Sequence, residues 1–370
     1  MKSSCSTHQK RHHIAINLKA NRNGLERVLV IGAGLAGIAV SERLLERGID
    51  FQILNSVNRP SSTEAATGMF NPIVFKRINL SWMVDELIPE LRSFYDSIGK
   101  RLGKGYLEPI EFSKCIPSDD YAHLWNKRAS QEEYEKYISA VRNNLGDIHH
   151  AGILDCSTMM ADYQAYLNTE SKVINSDFDS RDLTFQKDGI TLKGEFYDHA
   201  IFCEGAYAEQ NPFWNWLPFK LCKGEMIVIK TELEVCSTVL NNVLNIIPMG
   251  NCLYKLSSTY GWEDMTWEST NEAKLELTQA FKEVFDVPFE VVKTLAGIRP
   301  TVADRRPFLG RHPNHESISL FNGLGTKGVM LAPYFSKHLI EHLVDGNSLM
   351  PDVNIVRHIK RYKNSLLVAD

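Results

Sequence analysis

The clearest chemical signal in the sequence is a glycine pattern near its beginning. Gly32, Gly34 and Gly37 form a GxGxxG pattern that follows the apolar run 28–31 and precedes a helical pattern ending at Gly48. In such a turn the first glycine permits a tight bend, the second lets the backbone approach a pyrophosphate, and the third lets helix and strand pack closely. The helix N-terminus also offers free N–H groups and a positive dipole end to phosphates. The pattern therefore predicts a dinucleotide-binding turn in preference to a strand–turn–helix without a ligand.

The second strand, residues 51–54, is followed by Asn55, where such a motif usually has Asp or Glu. An asparagine amide still accepts one hydrogen bond from a ribose hydroxyl, but without charge assistance. The change does not favour NADP, because Ser56, Val57 and Asn58 offer no arginine for a 2′-phosphate. The strand–helix–strand order predicts a parallel sheet with a right-handed crossover.

The rest of the chain predicts further helices and a second set of strands. The helices are predicted from Ser81 onward with a turn that starts or kinks at Pro89, from a capping box of Ser130 and Glu133 to Leu145, from Ser157 through Leu167, from a cap of Ser269 and Glu272 to Phe285, and from Val329 to Val344, ending at Gly346. Residues 172–205 are β-rich, residues 219–262 alternate as antiparallel strands, and short strands are expected at 308–310 and 319–321.

Composition limits the classes of function. The 370 residues are 44% hydrophobic and 23% charged, which is typical of a globular protein with two domains or one large α/β body. A net charge of -4 gives no electrostatic footprint for a nucleic-acid partner or an anionic membrane. The longest apolar run, residues 28–40, is too short and too rich in glycine to span a bilayer.

The cysteines and histidines do not suggest a metal site. Their spacing lacks CxxC and Cys/His ligand patterns, and the adjacent pairs at 12–13 and 149–150 do not share a helix face. An odd, dispersed set of thiols is typical of a reducing compartment, which predicts a cytoplasmic protein. The cysteines are Cys5, Cys115, Cys156, Cys203, Cys222, Cys236 and Cys252.

The first residues predict a flexible leader over 1–26. Residues 1–25 contain lysine and arginine, no acidic residue and no hydrophobic core region. This argues against a signal peptide, and a frayed leader is favoured over a transit peptide.

Five sequence blocks resemble the D-amino-acid oxidase-type family of FAD-dependent oxidoreductases, and within it the glycine oxidase group. They are residues 28–37; the block STEAATGM at 62–69; residues 200–205; the block KGE at 223–225; and the block AGIRP at 296–300 with its continuation through 310–313 and 323–333. The glycine pattern is generic, whereas GIRP followed by GLGTKGVMLAP is specific. The blocks extend over roughly residues 27–345.

The resemblance implies that FAD is bound in an extended form. Without a cysteine at 323–333, non-covalent binding is expected. The residues that the resemblance assigns to FAD are Gly32, Gly34, Leu35, Ala36 and Gly37; Asn55 and Ser56 at the ribose; Ser62, Thr63, Thr67, Gly68 and Met69 at the phosphates and flavin; Phe178 at the adenine; Gly205; and Gly325, Thr326, Lys327, Gly328, Val329 and Met330 at the isoalloxazine.

The resemblance also implies three substrate-side residues. Arg299 matches the arginine that binds a substrate carboxylate, and its planar fork suits that role, although an interface arginine is the alternative. Tyr260 aligns with a pocket position, or else packs in the core. Lys327 either points at the flavin or is solvated. A pocket tyrosine of the relatives is replaced by Asn245, and Thr326 and Lys327 stand where relatives often have Gly, His or Arg. These differences concern the substrate pocket and not the flavin site.

The resemblance implies an α/β, overall α+β, fold in which a Rossmann-type FAD domain is interleaved with a smaller antiparallel-sheet substrate domain. The FAD domain is expected at residues 27–80, 150–215 and 297–345, the substrate domain at 81–149 and 216–296, and a C-terminal tail at 346–370. The implied reaction is hydride transfer from a small amine or amino acid to flavin, giving an imine, with oxygen or another electron acceptor. The oligomeric state stays open.

Two alternatives remain at this point. One is an oxidase domain like that of the bifunctional tRNA wobble-uridine modification enzyme. Such a domain would need a basic face, and a composition of 41 Lys+Arg against 45 Asp+Glu does not indicate one. The other is a non-catalytic flavin-binding protein, against which the intact Arg299 and glycine blocks argue.

Overall fold

The computed structural model describes residues 24–367, so the predicted leader lies almost entirely outside the described residues. The strands up to the middle of the chain are β1 (Arg27–Ile31), β2 (Asp50–Asn55), β3 (Met69–Phe70), β4 (Ile73–Val74), β5 (Asn79–Leu80), β6 (Leu107–Pro109), β7 (Phe112–Cys115), β8 (Leu145–Ile148), β9 (Gly152–Leu154) and β10 (Val173–Asn175). The later strands are β11 (Leu183–Gln186), β12 (Gly189–Leu192), β13 (Glu195–Tyr197), β14 (His199–Phe202), β15 (Cys222–Thr231), β16 (Val239–Asn241), β17 (Asn245–Pro248), β18 (Leu253–Ser257), β19 (Phe289–Arg299), β20 (Phe308–His312) and β21 (His315–Asn322).

The described residues also form α-helices and short 3-10 helices. The α-helices are α1 (Leu35–Arg47), α2 (Val84–Leu102), α3 (Asp119–Ala129), α4 (Glu132–Glu135), α5 (Cys156–Thr169), α6 (Asn271–Lys282), α7 (Gly328–Asp345) and α8 (Ile359–Leu366). The 3-10 helices are Phe75–Arg77, Ser180–Asp182, Gly205–Glu209, Gly325–Lys327 and Ile355–His358. None of the helices within residues 24–367 is both long and apolar enough to cross a membrane.

A six-stranded sheet carries the glycine turn. Its strand order is β10-β2-β1-β14-β21-β20, and every neighbouring pair is parallel except β20 with β21. Val28 and Val30 of β1 pack into a core with helices α1, α2, α5 and α7, while Leu29 and Ile31 pack into a second core on the opposite face. Both faces are covered, which explains why residues 28–31 form a continuous apolar run.

A seven-stranded sheet has the order β19-β15-β18-β17-β16-β7-β8. Its neighbouring pairs are antiparallel except β16 with β7. Ile227 and Ile229 of β15 face a core that is closed by Leu277 and Phe281 of α6. Side chains on successive strand residues alternate between faces, so Gly224 and Met226 lie on the face away from α6. Smaller sheets join β11-β12-β13, β3-β9-β6 and β4-β5.

A buried carboxylate connects three helices on the helical face of the first sheet. Glu42 of α1 is fully buried, and it accepts hydrogen bonds from the guanidinium of Arg101 at the end of α2 and from the Tyr163 hydroxyl of α5. A buried charge is tolerated only when it is paired and hydrogen-bonded, as here. The contact fixes α1, and with it the glycine turn, against α2 and α5.

Most predicted elements are present, but one helix was wrong. Ser130 ends α3 instead of opening a helix, α4 has a single turn, and Leu145 begins β8. Asn143 and Asn144 adopt left-handed backbone angles, with φ of 50° and 59°, and this turn cannot continue a helix. Helix α3 was not predicted; Ser118 caps it by accepting from the Tyr121 N–H.

Helix boundaries differ in smaller ways. Asp155, not Ser157, caps α5, and Thr270, not Ser269, caps α6, which ends at Lys282. Helix α2 continues through Pro89. The helix expected to end at Gly346 does so, since Gly346 adopts a left-handed C-cap.

The segment after Gly346 is packed as far as it is described. Val353 and Ile355 are fully buried, and the Leu309 N–H of β20 donates to the Val353 carbonyl over 2.9 Å. Tyr362 of α8 packs edge-on against Trp216, with ring centroids 5.0 Å apart. The segment predicted as a tail therefore lies along β20, the edge strand of the six-stranded sheet.

Candidate functional site

The glycine turn between β1 and α1 is built by close backbone contact. Gly32 has a φ of 106°, and a Cβ there would lie 2.6 Å from the Cys203 carbonyl oxygen of the neighbouring strand. A Cβ at Gly37 would overlap with the Gly32 carbonyl oxygen. At Gly34 a Cβ would instead lie 3.3 Å from the Thr63 hydroxyl and 3.6 Å from that of Ser61. Gly34 thus faces a polar gap between the turn and the 61–63 loop.

The N-terminus of α1 opens into that gap. The Leu35 N–H donates to the Thr63 Oγ1 over 3.1 Å, and Ala36 follows it in the first turn of the helix. N–H groups of a first helical turn have no carbonyl partner within the helix. Together with the missing Cβ at Gly34, they form a cradle that suits a pyrophosphate.

Segments that are distant in sequence meet beside this turn. The Ser62 hydroxyl donates to the Ile298 carbonyl over 2.5 Å, and the Gly325 N–H donates to the Pro300 carbonyl over 3.2 Å. A Cβ at Gly328, the first residue of α7, would lie 3.4 Å from the Leu35 side chain. The structure therefore brings the 62–69, 296–300 and 323–333 blocks together around the glycine turn.

The 62–69 block ends at Met69, which begins the short strand β3 next to β9. Thr67 Oγ1 accepts from the Met69 N–H over 3.5 Å, and Met69 pairs with Ile153 of β9. Gly68 has a φ of 73° and packs directly against the Leu154 carbonyl, which excludes any side chain. This contact fixes where the block leaves the site.

Gly205 and Glu204 lie at the carboxyl end of β14. The Gly205 carbonyl accepts from the Asn322 side chain over 2.9 Å. The Glu204 carboxylate accepts from the Asn211 side chain over 2.6 Å, and desolvation raises the pKa of Glu204 to about 7. This carboxyl group lies next to the glycine turn, because a Cβ at Gly32 would be 3.3 Å from the Glu204 Cα.

The predicted adenosine end lies at the carboxyl ends of β2 and β10. Asn55 donates to the Asn175 side chain over 3.4 Å, and the Ser56 hydroxyl donates to the Asp177 carboxylate. Phe178 packs edge-on against Phe202, with ring centroids 5.3 Å apart. Asn55, Ser56 and Phe178 are thus neighbours.

Arg299 ends β19 and its side chain lies across β15. Its Nη2 donates to the Ser258 hydroxyl over 2.7 Å, and its Nη1 donates to the carbonyls of Thr259 and Lys223 over 3.2 and 3.4 Å. The Cys222 Sγ is a fourth acceptor, 3.7 Å from Nη1, and none of the four is a carboxylate. Among residues 24–367 no carboxylate lies within ion-pairing distance of this guanidinium.

A loop that follows β18 holds Arg299 in place. Lys223, which is 2% exposed, directs its ammonium to the Asp264 carboxylate over 2.5 Å and to the Thr266 hydroxyl over 3.0 Å. The contact with Lys223 lowers the pKa of Asp264 to about 2. Glu225 accepts from the N–H and the hydroxyl of Thr270. These contacts tie the 258–270 loop to β15.

Tyr260 belongs to this loop and is exposed, so the alternative of a core aromatic is wrong. Its ring lies 4.8 Å from the Arg299 guanidinium carbon, and 62% of the residue is accessible to solvent. Asn245 lies opposite Ser257, which lies opposite Met226, and this row shares the sheet face of Arg299. Asn245 accepts from the Asn241 side chain over 2.7 Å.

The loop before α7 places Lys327 against Ser81. Its ammonium is hydrogen-bonded to the Ser81 hydroxyl, and desolvation, with a smaller effect of Arg305, lowers the pKa of Lys327 to about 8. Thr326 is exposed. Val329 and Met330 pack their side chains into the core, so only their backbone can face a ligand in the cleft.

The residues at the turn fit a dinucleotide, and the chain's similarity to known proteins agrees. Residues 27–342 match the family model described as FAD dependent oxidoreductase, abbreviated DAO. The chain belongs to this family. It is an FAD-dependent oxidoreductase, and FAD is its cofactor.

Three proteins similar to this DAO-family oxidoreductase share 22% of its sequence or less. Glycine oxidase of Pseudomonas aeruginosa is 22% identical over 359 residues, covering 88% of this chain and 97% of that protein. The structure of iminodiacetate oxidase from Chelativorans sp. BNC1 matches with a TM-score of 0.71 at 19% identity, covering 90% of this chain and 98% of that one. Glycine oxidase from Geobacillus kaustophilus matches with a TM-score of 0.67 at 17% identity, over 90% and 98% of the two chains.

Sequence reasoning missed the residues that hold Arg299 in this oxidoreductase. Ser258 and Thr259 lie in a stretch without a recognisable motif, and Lys223 and Gly224 were quoted only as part of the KGE block. The sequence signal that could have indicated Lys223 and Gly224 is a lysine and a glycine at the start of a strand whose next residues, 226–229, are apolar. Asp177 was also missed; it lies near Asn55 because β10, which precedes it, pairs with β2. No group of three or more His, Cys, Asp or Glu side chains within residues 24–367 could hold a metal ion.

Proposed function

We propose that this protein oxidises a small amine or amino acid that carries a carboxylate, with an imine as the product. The observation that carries the proposal is the environment of Arg299. Its guanidinium is partly buried and held by neutral acceptors only. A desolvated cation without a counter-charge favours an anionic ligand, and a guanidinium suits a carboxylate because it offers two parallel N–H donors.

The proposed role of the chain is mainly to bind and orient. Arg299 would hold the substrate carboxylate, which fixes the amine-bearing carbon at one end of the cleft. When bound, FAD would supply the hydride acceptor for this carbon. Loss of the hydride from carbon and of a proton from nitrogen to water leaves the imine, which water then hydrolyses. Positioning of this kind can supply most of the rate enhancement without an acid–base pair.

Tyr260 would act on the substrate and Lys327 on the flavin. Tyr260 is exposed beside the guanidinium, so its hydroxyl is free to donate a second hydrogen bond to the substrate. Lys327 is the N-cap residue of α7, and its positive charge and that helix N-terminus would both favour negative charge on the flavin. Asn245 would line the pocket in place of the tyrosine expected from the resemblance.

The named relatives support an amine-bearing substrate. Glycine oxidase and iminodiacetate oxidase are named for substrates that combine an amine with carboxylates, and an L-amino acid deaminase from Proteus vulgaris has the same fold, with a TM-score of 0.67 at 10% identity. Only the class of substrate follows from these names.

Anaerobic reduction of the purified protein tests the proposal. The visible absorbance of the oxidised flavin should be lost on addition of an amino acid or N-substituted glycine, and should persist with the matching amine that lacks a carboxylate. A panel in which carboxylate-free amines reduce the protein equally well would contradict the role of Arg299. Re-oxidation by air or by a dye then separates oxygen from another electron acceptor.

We also propose that FAD is held non-covalently and that the protein works in the cytoplasm. The loop 323–333 contains no cysteine, and the six described cysteines are free thiols. Denaturation should therefore release all the flavin into the supernatant. Flavin that remains with the precipitated protein would contradict the non-covalent assignment.

A further inference from the structure

The carboxyl ends of β2 and β10 lie side by side. The two strands are parallel, and their register places Asn55 opposite Asn175. Asp177 follows two residues later, and its carboxylate accepts from the hydroxyl of Ser56, the residue that follows Asn55. Its second oxygen accepts from the Asn58 side chain over 3.4 Å. A carboxylate is thus present at the end of β2, although it comes from the neighbouring strand.

We propose that Asp177 binds the ribose hydroxyls of the adenosine half of FAD, in place of the acidic residue that β2 lacks. This inference rests on the proposed placement of FAD along the glycine turn. Ribose hydroxyls are hydrogen-bond donors to a carboxylate, and a charged acceptor makes a stronger bond than an amide oxygen does. Asn55 alone would offer one neutral acceptor.

The backbone around Asp177 is anchored on both sides. The Lys193 ammonium is 2.6 Å from the Ser176 hydroxyl, and the ring of Phe178 packs edge-on against Phe202. Asp177 itself is exposed, and hydrogen bonds from Ser56 and Asn58 help to lower its pKa, with the Ser56 bond contributing most. The carboxylate is therefore ionised, held in one place, and accessible to a ligand.

A nearby carboxylate provides the contrast. Asp179 accepts from Arg181 at 2.9 and 3.0 Å, so its charge is already paired. No arginine, lysine or histidine among the described residues lies within ion-pairing distance of Asp177. Asp177, Asp179 and Asp182 follow β10, and of these three only Asp177 accepts from Ser56 at the end of β2. The charges of Arg59 and Lys193 act on Asp177 only from beyond ion-pairing distance.

The affinity of the apoprotein for FAD tests the assignment. Asp177→Asn should raise the Kd for FAD about tenfold or more, because one charge-assisted contact is lost. Asp179→Asn is the matched control and should leave the Kd unchanged. The melting temperature of each apoprotein shows whether the fold is intact. Equal FAD affinities for wild type and Asp177→Asn would overturn the proposal.

Two further measurements distinguish the loss of a ribose contact from a general weakening of FAD binding. An FAD analogue without the adenosine ribose hydroxyls should bind wild type about tenfold more weakly than FAD, and should bind Asp177→Asn no more weakly than FAD does. Asn55→Asp should restore affinity to the Asp177→Asn protein, because it returns a carboxylate to the end of β2. The assignment would be overturned if the analogue bound Asp177→Asn more weakly than FAD does, so that the two losses of affinity added. It would also be overturned if Asn55→Asp did not restore the affinity of Asp177→Asn for FAD. A wild-type protein without affinity for FAD would overturn the proposed function itself.

Discussion

The guanidinium of Arg299 occupies the space directly above Gly224. The β15–β19 register pairs Gly224 with Gly297 and Cys222 with Arg299, so the arginine side chain folds back across its neighbouring strand. A Cβ at position 224 would overlap with the guanidinium group. The absence of a side chain at Gly224 therefore sets the position of the proposed carboxylate-binding group.

Gly224→Ala should impair substrate binding without removing any charge. The added methyl group must displace the guanidinium from Ser258 and Thr259. Transition-state stabilisation for a carboxylate substrate should therefore weaken by about 2 kcal/mol, which lowers kcat/KM roughly 30-fold. Gly261→Ala in the adjacent loop is the control, because a Cβ there would make only ordinary contact with Lys223 at 3.6 Å. Equal kinetics for the two variants would show that the position of Arg299 does not matter.

Arg299→Lys keeps the positive charge but loses the planar pair of donors. We expect the activation free energy that corresponds to kcat/KM for acidic substrates to rise by on the order of 2–5 kcal/mol, because the substrate carboxylate would be left poorly paired. The Kd for FAD should stay the same, since Arg299 faces the substrate side. Steady-state rates and FAD titrations measure the two effects. Unchanged rates would make Arg299 a structural residue and would favour simple amines as substrates.

The parts of this site that the sequence predicts are those encoded by local patterns. The glycine turn follows from a strand, three glycines and a helix within twenty residues, and those elements appear as expected. The acceptors of Arg299 are different, because Ser258 lies 41 residues away and reaches it only through the order of β18, β15 and β19. Strand order in an antiparallel sheet is not encoded by local periodicity.

The wrong helix has a local cause that periodicity does not capture. A capping-box pattern at Ser130 and Glu133 is real, but the helix it would begin is interrupted by the left-handed Asn143–Asn144 turn that leads into β8. The pairing of β8 with β7 then decides the conformation. Tertiary pairing outweighs a cap when the downstream residues can form a strand.

Asp264→Asn should loosen the loop that carries Tyr260. The change removes the ion pair between Asp264 and Lys223, and it leaves the buried ammonium with the Thr266 hydroxyl at 3.0 Å and the Glu225 carboxylate at 3.8 Å. We expect KM for the amine substrate to rise several-fold with a smaller change in kcat, because substrate binding depends on the loop more than the chemical step does. Asp286→Asn, at an exposed position after α6, is the matched control. A fall in kcat with constant KM would contradict a positioning role.

Glu204 makes the stability of the apoprotein depend on pH. Desolvation raises its pKa from 4.5 to about 7, so between these values the folded protein keeps a proton that the unfolded chain has released. Stability falls with rising pH wherever the folded state binds more protons. The contribution of Glu204 is therefore fully present below pH 4.5, is lost progressively up to pH 7, and is absent above it.

Glu204→Gln should remove this dependence, because an amide does not titrate in this range while its oxygen can still accept from Asn211. Relative to wild type, the variant should gain on the order of 1–2 kcal/mol in unfolding free energy between pH 4.5 and 8. This is less than the full shift implies at 1.36 kcal/mol per unit, because Glu204 is partly exposed. Urea unfolding of the apoprotein at several pH values measures the difference. Glu209→Gln, on the exposed side of the same 3-10 helix, is the control and should follow wild type at every pH. Parallel pH profiles for wild type and Glu204→Gln would mean that Glu204 is ionised in the folded protein throughout this range.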